Sequence, residues 1–371
     1  MKILISAQVR WWNASAYYAV TTAEALGRLG HDVTILAHEA TPAYQQALER
    51  GLNVIGDINP AEKNPLKLLR QIGKLYDFIK AGGYDILNAH RPEDHISLAL
   101  AQKRLKKPGL LVRTVSDVRT PQNNPINKLL HESWTAGIIY CANVCRPRYQ
   151  KTFNLKEKPE TVIHSGIDVE AFSRGDWLKD NPYLKYSQPR IGVVARLSLN
   201  KGHRVLIESA VKVLEKHPKA TFLIIGKEEE VKVAELQEVA ASLGVAEAFH
   251  FTGKLDDPRQ AMSALDIGLI TSTESEVISR AAQEFFALGR PVIATKVNVL
   301  PEMIDEGANG LLVDAGDADQ LADAILRLAG SDEERMMMGE RARTYAQKRH
   351  DLSILGRATE TFFKFLAGAF S

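Results

Sequence analysis

Two runs of strand–helix alternation, separated by an aperiodic stretch, constrain this chain more than any other feature. The first run opens with the apolar, β-prone Lys2–Ser6 and continues through Ala23, Leu26 and Leu29 at helical spacing. Gly30 stops that helix, and residues 32–37 return to a strand. Parallel strands need a helical crossover, so such a unit begins a doubly wound parallel sheet. Further strands are expected at 84–90, 110–115, 137–140 and 160–164, with helices at 95–103 and 127–136. The second run starts with a strand at 190–195 and a helix at 204–216, then strands at 221–226, 250–252, 267–271 and 291–295. From 320 to 370 the pattern is almost wholly helical. The class is α/β.

The stretch between the runs, 168–189, holds Gly175, Pro182 and Pro189 among polar residues and reads as a linker. The expected organisation is a Rossmann-like domain over 1–170, a linker over 171–189 and a second Rossmann-like domain over 190–350. At roughly 100–200 residues per domain, 371 residues suffice for two cores. A 45% hydrophobic content with net charge +2 argues against disorder. Two cysteines cannot build a disulfide framework and suit a reducing, cytoplasmic setting. Their i,i+4 spacing, Cys141 and Cys145, lacks the further ligands a zinc site needs, and no metal site is expected. No run of about 18 apolar residues suggests a membrane span, and the apolar start is too short for a signal-peptide core.

Charge is unevenly spread. Between Glu62 and Lys151, 16 basic residues face 7 acidic ones. A half this basic suits an anionic partner such as phosphate or membrane, or is simply a lysine-rich solvated surface. Without a recognised reader motif it is not expected to bind nucleic acid. Within it Leu66, Leu69, Ile72, Tyr76 and Ile79 form a helical stripe beside Lys67, Arg70, Lys74 and Lys80. Such a helix either packs on a sheet or lies peripherally on an anionic membrane.

Chemistry concentrates in the second run. After the strand at 267–271, Glu276 falls in a loop, and Glu284 falls on a helix of about 278–288 that Gly289 ends. Eight residues of helix amount to about 12 Å of rise. Phosphate at the helix start, with hydroxyls meeting carboxylates on either side, suits a nucleotide-sugar; two surface glutamates on an ordinary helix are the plainer alternative. The second cluster is Val193-Val194-Ala195-Arg196-Leu197-Ser198-Leu199-Asn200-Lys201-Gly202. Arg196 and Lys201 lie beyond the carboxyl end of a strand, where two fixed cations would neutralise a leaving diphosphate without a metal.

Together, in this order, these clusters resemble the retaining glycosyltransferases of family 4. Gly30-His31-Asp32-Val33-Thr34, Val162-Ile163-His164-Ser165-Gly166-Ile167-Asp168, Thr252-Gly253-Lys254 and Ala287-Leu288-Gly289-Arg290-Pro291-Val292 fit the same family. The resemblance implies the GT-B fold, two Rossmann-like domains facing across a cleft, with 351–371 returning to the first. It implies that Arg196 and Lys201 grip the donor diphosphate, that Glu276 touches the donor sugar and that Glu284 holds the ribose. Gly202 and Lys254 are further donor-binding candidates. The donor would be a nucleoside-diphosphate sugar, uridine rather than guanosine, with no cofactor. The acceptor would be a cell-surface glycan or lipid-linked glycan, and the enzyme cytoplasmic or peripheral at the inner face of the plasma membrane.

Departures from the family pattern accompany the match. A Gly-Gly loop common after the first strand is replaced by Arg10-Trp11-Trp12-Asn13-Ala14-Ser15-Ala16, leaving Asn13 and Ser15 as side-chain substitutes. Gly-Phe-Gly after the first glutamate becomes Val277-Ile278-Ser279, and a Gly-x-Gly-Pro turn becomes Gly226-Lys227-Glu228-Glu229. For the acceptor, the candidates at strand ends of the first domain are His90 and Arg91, then Asp117 and Arg119. His90 also reads as a structural histidine and Asp117 as a helix cap. Trp11, Trp12, Tyr17 and Tyr18 would stack on sugar or pack in the core. The competing functions are a GT-B nucleotide-sugar epimerase and an inactive nucleotide-sugar-binding partner subunit.

Overall fold

The computed structural model describes residues 1–173 and 176–370. Residues 174 and 175, within the stretch read as a linker, and 371, at the end of the returning segment, lie outside the described residues. Two compact units are present: Met1–Gly166 with Asp351–Ser371, and Ile167–His350.

The first unit runs β1 (Lys2–Ser6), α1 (Ala14–Arg28), β2 (Asp32–Leu36), α2 (Pro42–Glu49), β3 (Asn53–Ile55), α3 (Pro65–Gly82), β4 (Ile86–Ala89), α4 (Pro92–Gln102), β5 (Leu110–Val115), α5 (Pro125–Leu129), β6 (Gly137–Tyr140), α6 (Arg146–Thr152) and β7 (Glu160–Val162). All seven strands are parallel, in the order β3-β2-β1-β4-β5-β6-β7. Inner strands β4 and β6 are buried along their whole length, as a sheet covered by helices on both faces requires. Side-chain caps set the helix starts: Asn13 accepts from the Ala16 amide, Asn64 from those of Leu66 and Lys67, and Asn124 from that of Asn127. The helix expected over 127–136 is instead α5 followed by a π-helical turn, Leu130–Trp134.

The second unit runs α7 (Val169–Ser173), β8 (Arg190–Val194), α8 (His203–Lys216), β9 (Thr221–Ile225), α9 (Val233–Ser242), β10 (Phe249–Gly253), α10 (Arg259–Ala264), β11 (Ile267–Ile270), α11 (Arg280–Ala287), β12 (Val292–Thr295), α12 (Leu300–Met303), β13 (Gly310–Val313), α13 (Ala318–Ala329) and α14 (Asp332–Arg349). Its six parallel strands follow the order β10-β9-β8-β11-β12-β13. The segment read as a linker belongs to this unit. Within it, Trp177 lies under the Arg259 guanidinium at 4.4 Å, and Asn181 Nδ2 donates to the Gln260 carbonyl at 2.7 Å.

After α14 the chain returns to the first unit as α15 (Leu352–Phe370), which packs along α1. Phe363 and Leu366 are fully buried, His31 Nε2 is 3.0 Å from Glu360 Oε1, and a side chain at Gly356 would crowd the Ala25 carbonyl at 2.9 Å. Both sheets reverse strand order once, between β1 and β4 and between β8 and β11, and each reversal opens a crevice beyond the strands' carboxyl ends.

Candidate active site

In the second unit the loops after β8 and β11 meet at the reversal point. Gly202 makes this possible. Its φ is 67°, and a Cβ there would stand 2.0 Å from the Thr271 carbonyl oxygen, so only glycine lets the two loops touch. Thr271 Oγ1 donates to the Lys201 carbonyl at 2.7 Å, and the Thr273 amide donates to the Asn200 carbonyl at 2.9 Å. Held this way, Lys201 Nζ donates to Glu276 Oε2 at 2.6 Å and to Ser272 Oγ at 3.2 Å, and Ser272 Oγ donates to the same carboxylate oxygen at 2.6 Å. The side chains of Lys201 and Glu276 keep 18% and 11% exposure, so this charge-assisted network is largely removed from water. Glu276's backbone is fixed too: its amide donates to Asn298 Oδ1 at 3.2 Å, and its carbonyl accepts from Val299 at 3.0 Å. A cavity of ≈ 30 Å³ beside the pair is lined by Lys201, Thr271, Ser272, Glu276 and Ala281.

Glu284 lies on α11 with its side chain 7% exposed, and its Oε1 accepts from Arg280 Nε at 3.0 Å and Nη2 at 2.8 Å. Sequence reasoning passed over Arg280, although its i,i+4 spacing to Glu284 was the available signal. Val277 and Ile278 are nearly buried. Ser279, the N-cap of α11, is fully buried, and its hydroxyl has no hydrogen-bond partner.

Arg196 is half exposed and ion-paired to Glu229. The acidic turn after β9 is clamped onto Arg196's loop. Amides of Glu229, Glu230 and Val231 all donate to the Leu197 carbonyl, and a Cβ at Gly226 would fall 1.8 Å from the Ala195 carbonyl oxygen. His203 Nε2 donates to the Arg196 carbonyl at 3.0 Å. Burial lowers the pKa of His203 in spite of that hydrogen bond, and Lys201 lowers it further, so the ring stays neutral. Three cations (Arg196, Lys201, Arg280) thus face three carboxylates (Glu229, Glu276, Glu284), and the cluster is charge-balanced. Lys254 stands apart, 70% exposed and 3.5 Å from Asp256, with no hydrogen bond to this group.

In the first unit the crevice between β1 and β4 gathers a different set. Asn13 is occupied as the cap of α1, and Ser15 Oγ is hydrogen-bonded to Ser116 Oγ. His90 is 1% exposed and neither ring nitrogen has a partner; burial, reinforced by Arg113, pushes its pKa down to about 3. Arg91 lies 3.4 Å from Glu93, and Arg119 pairs with Asp117 at 2.8 Å at the surface. Burial pushes the Asp117 carboxyl up, but hydrogen bonds from Arg119 outweigh this and leave its pKa lowered. Asp117 does not cap the following helix; Asn124 does.

Asp94, in the first turn of α4, is fully buried and was not foreseen, since it reads as an ordinary first-turn acid. Its Oδ2 accepts from the Gln8 amide at 3.2 Å. Burial lifts its carboxyl to about 7, opposed by that amide and the Ser6 hydroxyl. Of the aromatic cluster, Tyr17 and Tyr18 are core residues whose hydroxyls donate to the Gly166 and Ile163 carbonyls at 2.9 and 2.7 Å, while Trp11 is 75% exposed.

Residues 188–331 match the family model for glycosyl transferases group 1, and residues 15–171 match that for glycosyltransferase family 4. A D-inositol 3-phosphate glycosyltransferase from Corynebacterium urealyticum is 26% identical over 365 residues, covering 89% of this chain and 86% of the relative. The lipopolysaccharide core biosynthesis glycosyltransferase LpsE of Rhizobium meliloti is 30% identical over 153 residues, covering 41% of this chain and 43% of LpsE. Among solved structures, Anabaena HepE in complex with UDP superposes with a TM-score of 0.84 at 20% identity, over 98% of this chain and 100% of that one.

Proposed function

The chain belongs to glycosyltransferase family 4 and has the GT-B fold, and from that premise we propose a retaining, metal-independent hexosyltransferase. Its donor is a nucleoside-diphosphate sugar, and its acceptor is a cell-surface or lipid-linked glycan such as lipopolysaccharide core or capsule. The Lys201–Ser272–Glu276 network at the strand-order reversal carries this reading. It sets a cation and a carboxylate side by side, as a site must that receives diphosphate and sugar hydroxyls together. The likeness to HepE, solved with UDP and with UDP-glucose, supports a uridine nucleotide. LpsE supports an envelope glycan.

In this reading Lys201 and Arg196 stabilise the charge that develops on the diphosphate as the glycosidic bond breaks. Gly202 admits the phosphate to the backbone, Glu276 accepts sugar hydroxyls, and Ser279 offers a free hydroxyl at the start of α11. Glu284, aimed by Arg280, accepts the ribose diol. The first unit takes the acceptor near His90, Arg91, Asp117 and Arg119. No cofactor takes part. Among the described residues no helix is long and apolar enough to cross a membrane, and the proposed seat is the cytoplasmic face of the plasma membrane.

Glu284→Ala tests the donor site. Losing a carboxylate that accepts two ribose hydrogen bonds is expected to lower kcat/KM for nucleotide release by about tenfold to hundredfold. Unchanged turnover would remove Glu284 from the site. Glu229→Gln is expected to act in the opposite direction, freeing Arg196 from a half-exposed pair and tightening UDP binding by roughly fivefold in calorimetry. Equal affinities would show that the pair does not compete with phosphate.

A further inference from the structure

In the second unit the loop after β11 is gripped from two sides at the carboxyl edge of the sheet. The loop after β8 holds its start, at Thr271 and Thr273. The exit of β12 holds it from the other side. Thr295 Oγ1 donates to the Ser272 carbonyl at 2.6 Å, Asn298 Oδ1 accepts from the Glu276 amide at 3.2 Å, and the Val299 amide donates to the Glu276 carbonyl at 3.0 Å. The β12 exit thus anchors both residues whose side chains meet Lys201, Ser272 at one end of the segment and Glu276 at the other.

Asn298 reaches Glu276 from an unusual backbone. Its φ is 46°, and among the described residues only Asp180 shares a positive value with it outside glycine. A Cβ is crowded in that left-handed region, where glycine is the usual occupant and asparagine is tolerated for its short polar side chain. Here that side chain bonds a peptide 22 residues away. The turn itself is closed by the Leu300 amide donating to the Val297 carbonyl at 3.0 Å, with Val297 and Val299 buried and Asn298 half-buried between them. A glycine at 298 would keep this turn and leave the Glu276 amide without its acceptor.

The value of the clamp follows from charge. Glu276 Oε2 has two side-chain donors, Lys201 Nζ and Ser272 Oγ, each at 2.6 Å. Once Lys201 turns to a donor diphosphate, the carboxylate loses its cation. What still aims it is the Ser272 hydroxyl and its own peptide, fixed at the amide by Asn298 and at the carbonyl by Val299. We propose that Asn298 is a positioning residue for sugar transfer, which rests on the reading of Glu276 as the carboxylate that accepts the sugar hydroxyls. Among the described residues its side chain hydrogen-bonds to Glu276 alone. Removing it should therefore separate aiming of the sugar from binding of the nucleotide, and a small misplacement at a reacting centre is costly.

The test compares Asn298→Gly, which suits the left-handed turn, and Asn298→Asp, which keeps an accepting oxygen, with the parent. In amide-resolved hydrogen exchange on the chain without nucleotide, the Glu276 amide is expected to exchange about tenfold faster in Asn298→Gly and at the parental rate in Asn298→Asp. The Thr273 amide, held from the β8 side, should exchange as in the parent. Asn298→Gly should bind uridine diphosphate with parental affinity in calorimetry. Its kcat for nucleotide release from a UDP-hexose should fall by about tenfold to hundredfold, and Asn298→Asp should recover most of that loss. An unchanged Glu276 exchange rate in Asn298→Gly, or an affinity for uridine diphosphate that falls in step with kcat, would overturn the proposal. A parent chain that releases no nucleotide from UDP-glucose, UDP-galactose or UDP-N-acetylglucosamine counts against the transferase reading alone, and the exchange rates still decide whether Asn298 holds Glu276.

Discussion

Replacing Lys201 with alanine is expected to lower the rate of nucleotide release at saturating donor by about 10²–10³-fold, the usual loss when one preorganised donor to a developing anion is removed. The geometry adds a second consequence. Glu276, 11% exposed, would keep only the Ser272 hydroxyl as a side-chain donor, and a nearly buried carboxylate that has lost its cation destabilises the fold. Lys201→Ala should therefore melt at a lower temperature than the parent. Adding Glu276→Ala should recover most of that melting temperature while restoring no activity. A single variant with full activity would end the assignment of Lys201. A double variant that recovers no stability would show that the pair carries no buried-charge penalty.

Asp94→Asn should alter stability in a pH-dependent way whose sign follows from burial. The folded chain holds the Asp94 proton up to about pH 7, whereas the unfolded chain releases it near the ordinary 3.8. Between those values the folded state binds the extra proton, so this residue's contribution falls as pH rises, by about 1.4 kcal/mol per pH unit. Asparagine keeps an oxygen for the Gln8 amide and carries no charge. The stability difference, variant minus parent, should climb from about pH 4 to about pH 7 and then level off. His90, with its pKa pushed down to about 3, His131, down to about 4, and His95, lowered well below the ordinary value, act with the opposite sign. Their stabilising contribution is complete above about 6.5 and is lost as pH falls. The difference between the two chains cancels that shared background. Urea unfolding followed by tryptophan emission suits the measurement, because Trp11, Trp12 and Trp134 lie in the first unit and only Trp177 in the second. A pH-independent difference would show that Asp94 titrates normally.

The residues that announced the fold did so through local pattern. Apolar strands and helical spacing were legible because burial on both faces of a parallel sheet imposes them. Segment 171–189, read as a linker, is aperiodic sequence that looks the same whether it spans or packs; its Trp177 and Asn181 contact Arg259 and Gln260, about 80 residues away. In the site, Glu276 and Glu284 were visible through their spacing and Arg196 and Lys201 through their place after a strand. Ser272 and Glu229 were not, because Ser272 meets Lys201, and Glu229 meets Arg196, only when two loops come together. Asp94 was hidden for a related reason. A first-turn acid is unremarkable until the helix's first turn meets the segment that follows β1, at Gln8, and solvent is removed from it.

The return of α15 bears on how the chain is made. Its apolar face is what covers α1, yet it is translated after all of the second unit. On the ribosome, the first unit therefore emerges with one flank bare while the second is still being synthesised and can complete its own sheet. The α1 flank gains its cover only with the last helix in the chain, so the nascent first unit exposes apolar surface that the finished fold buries.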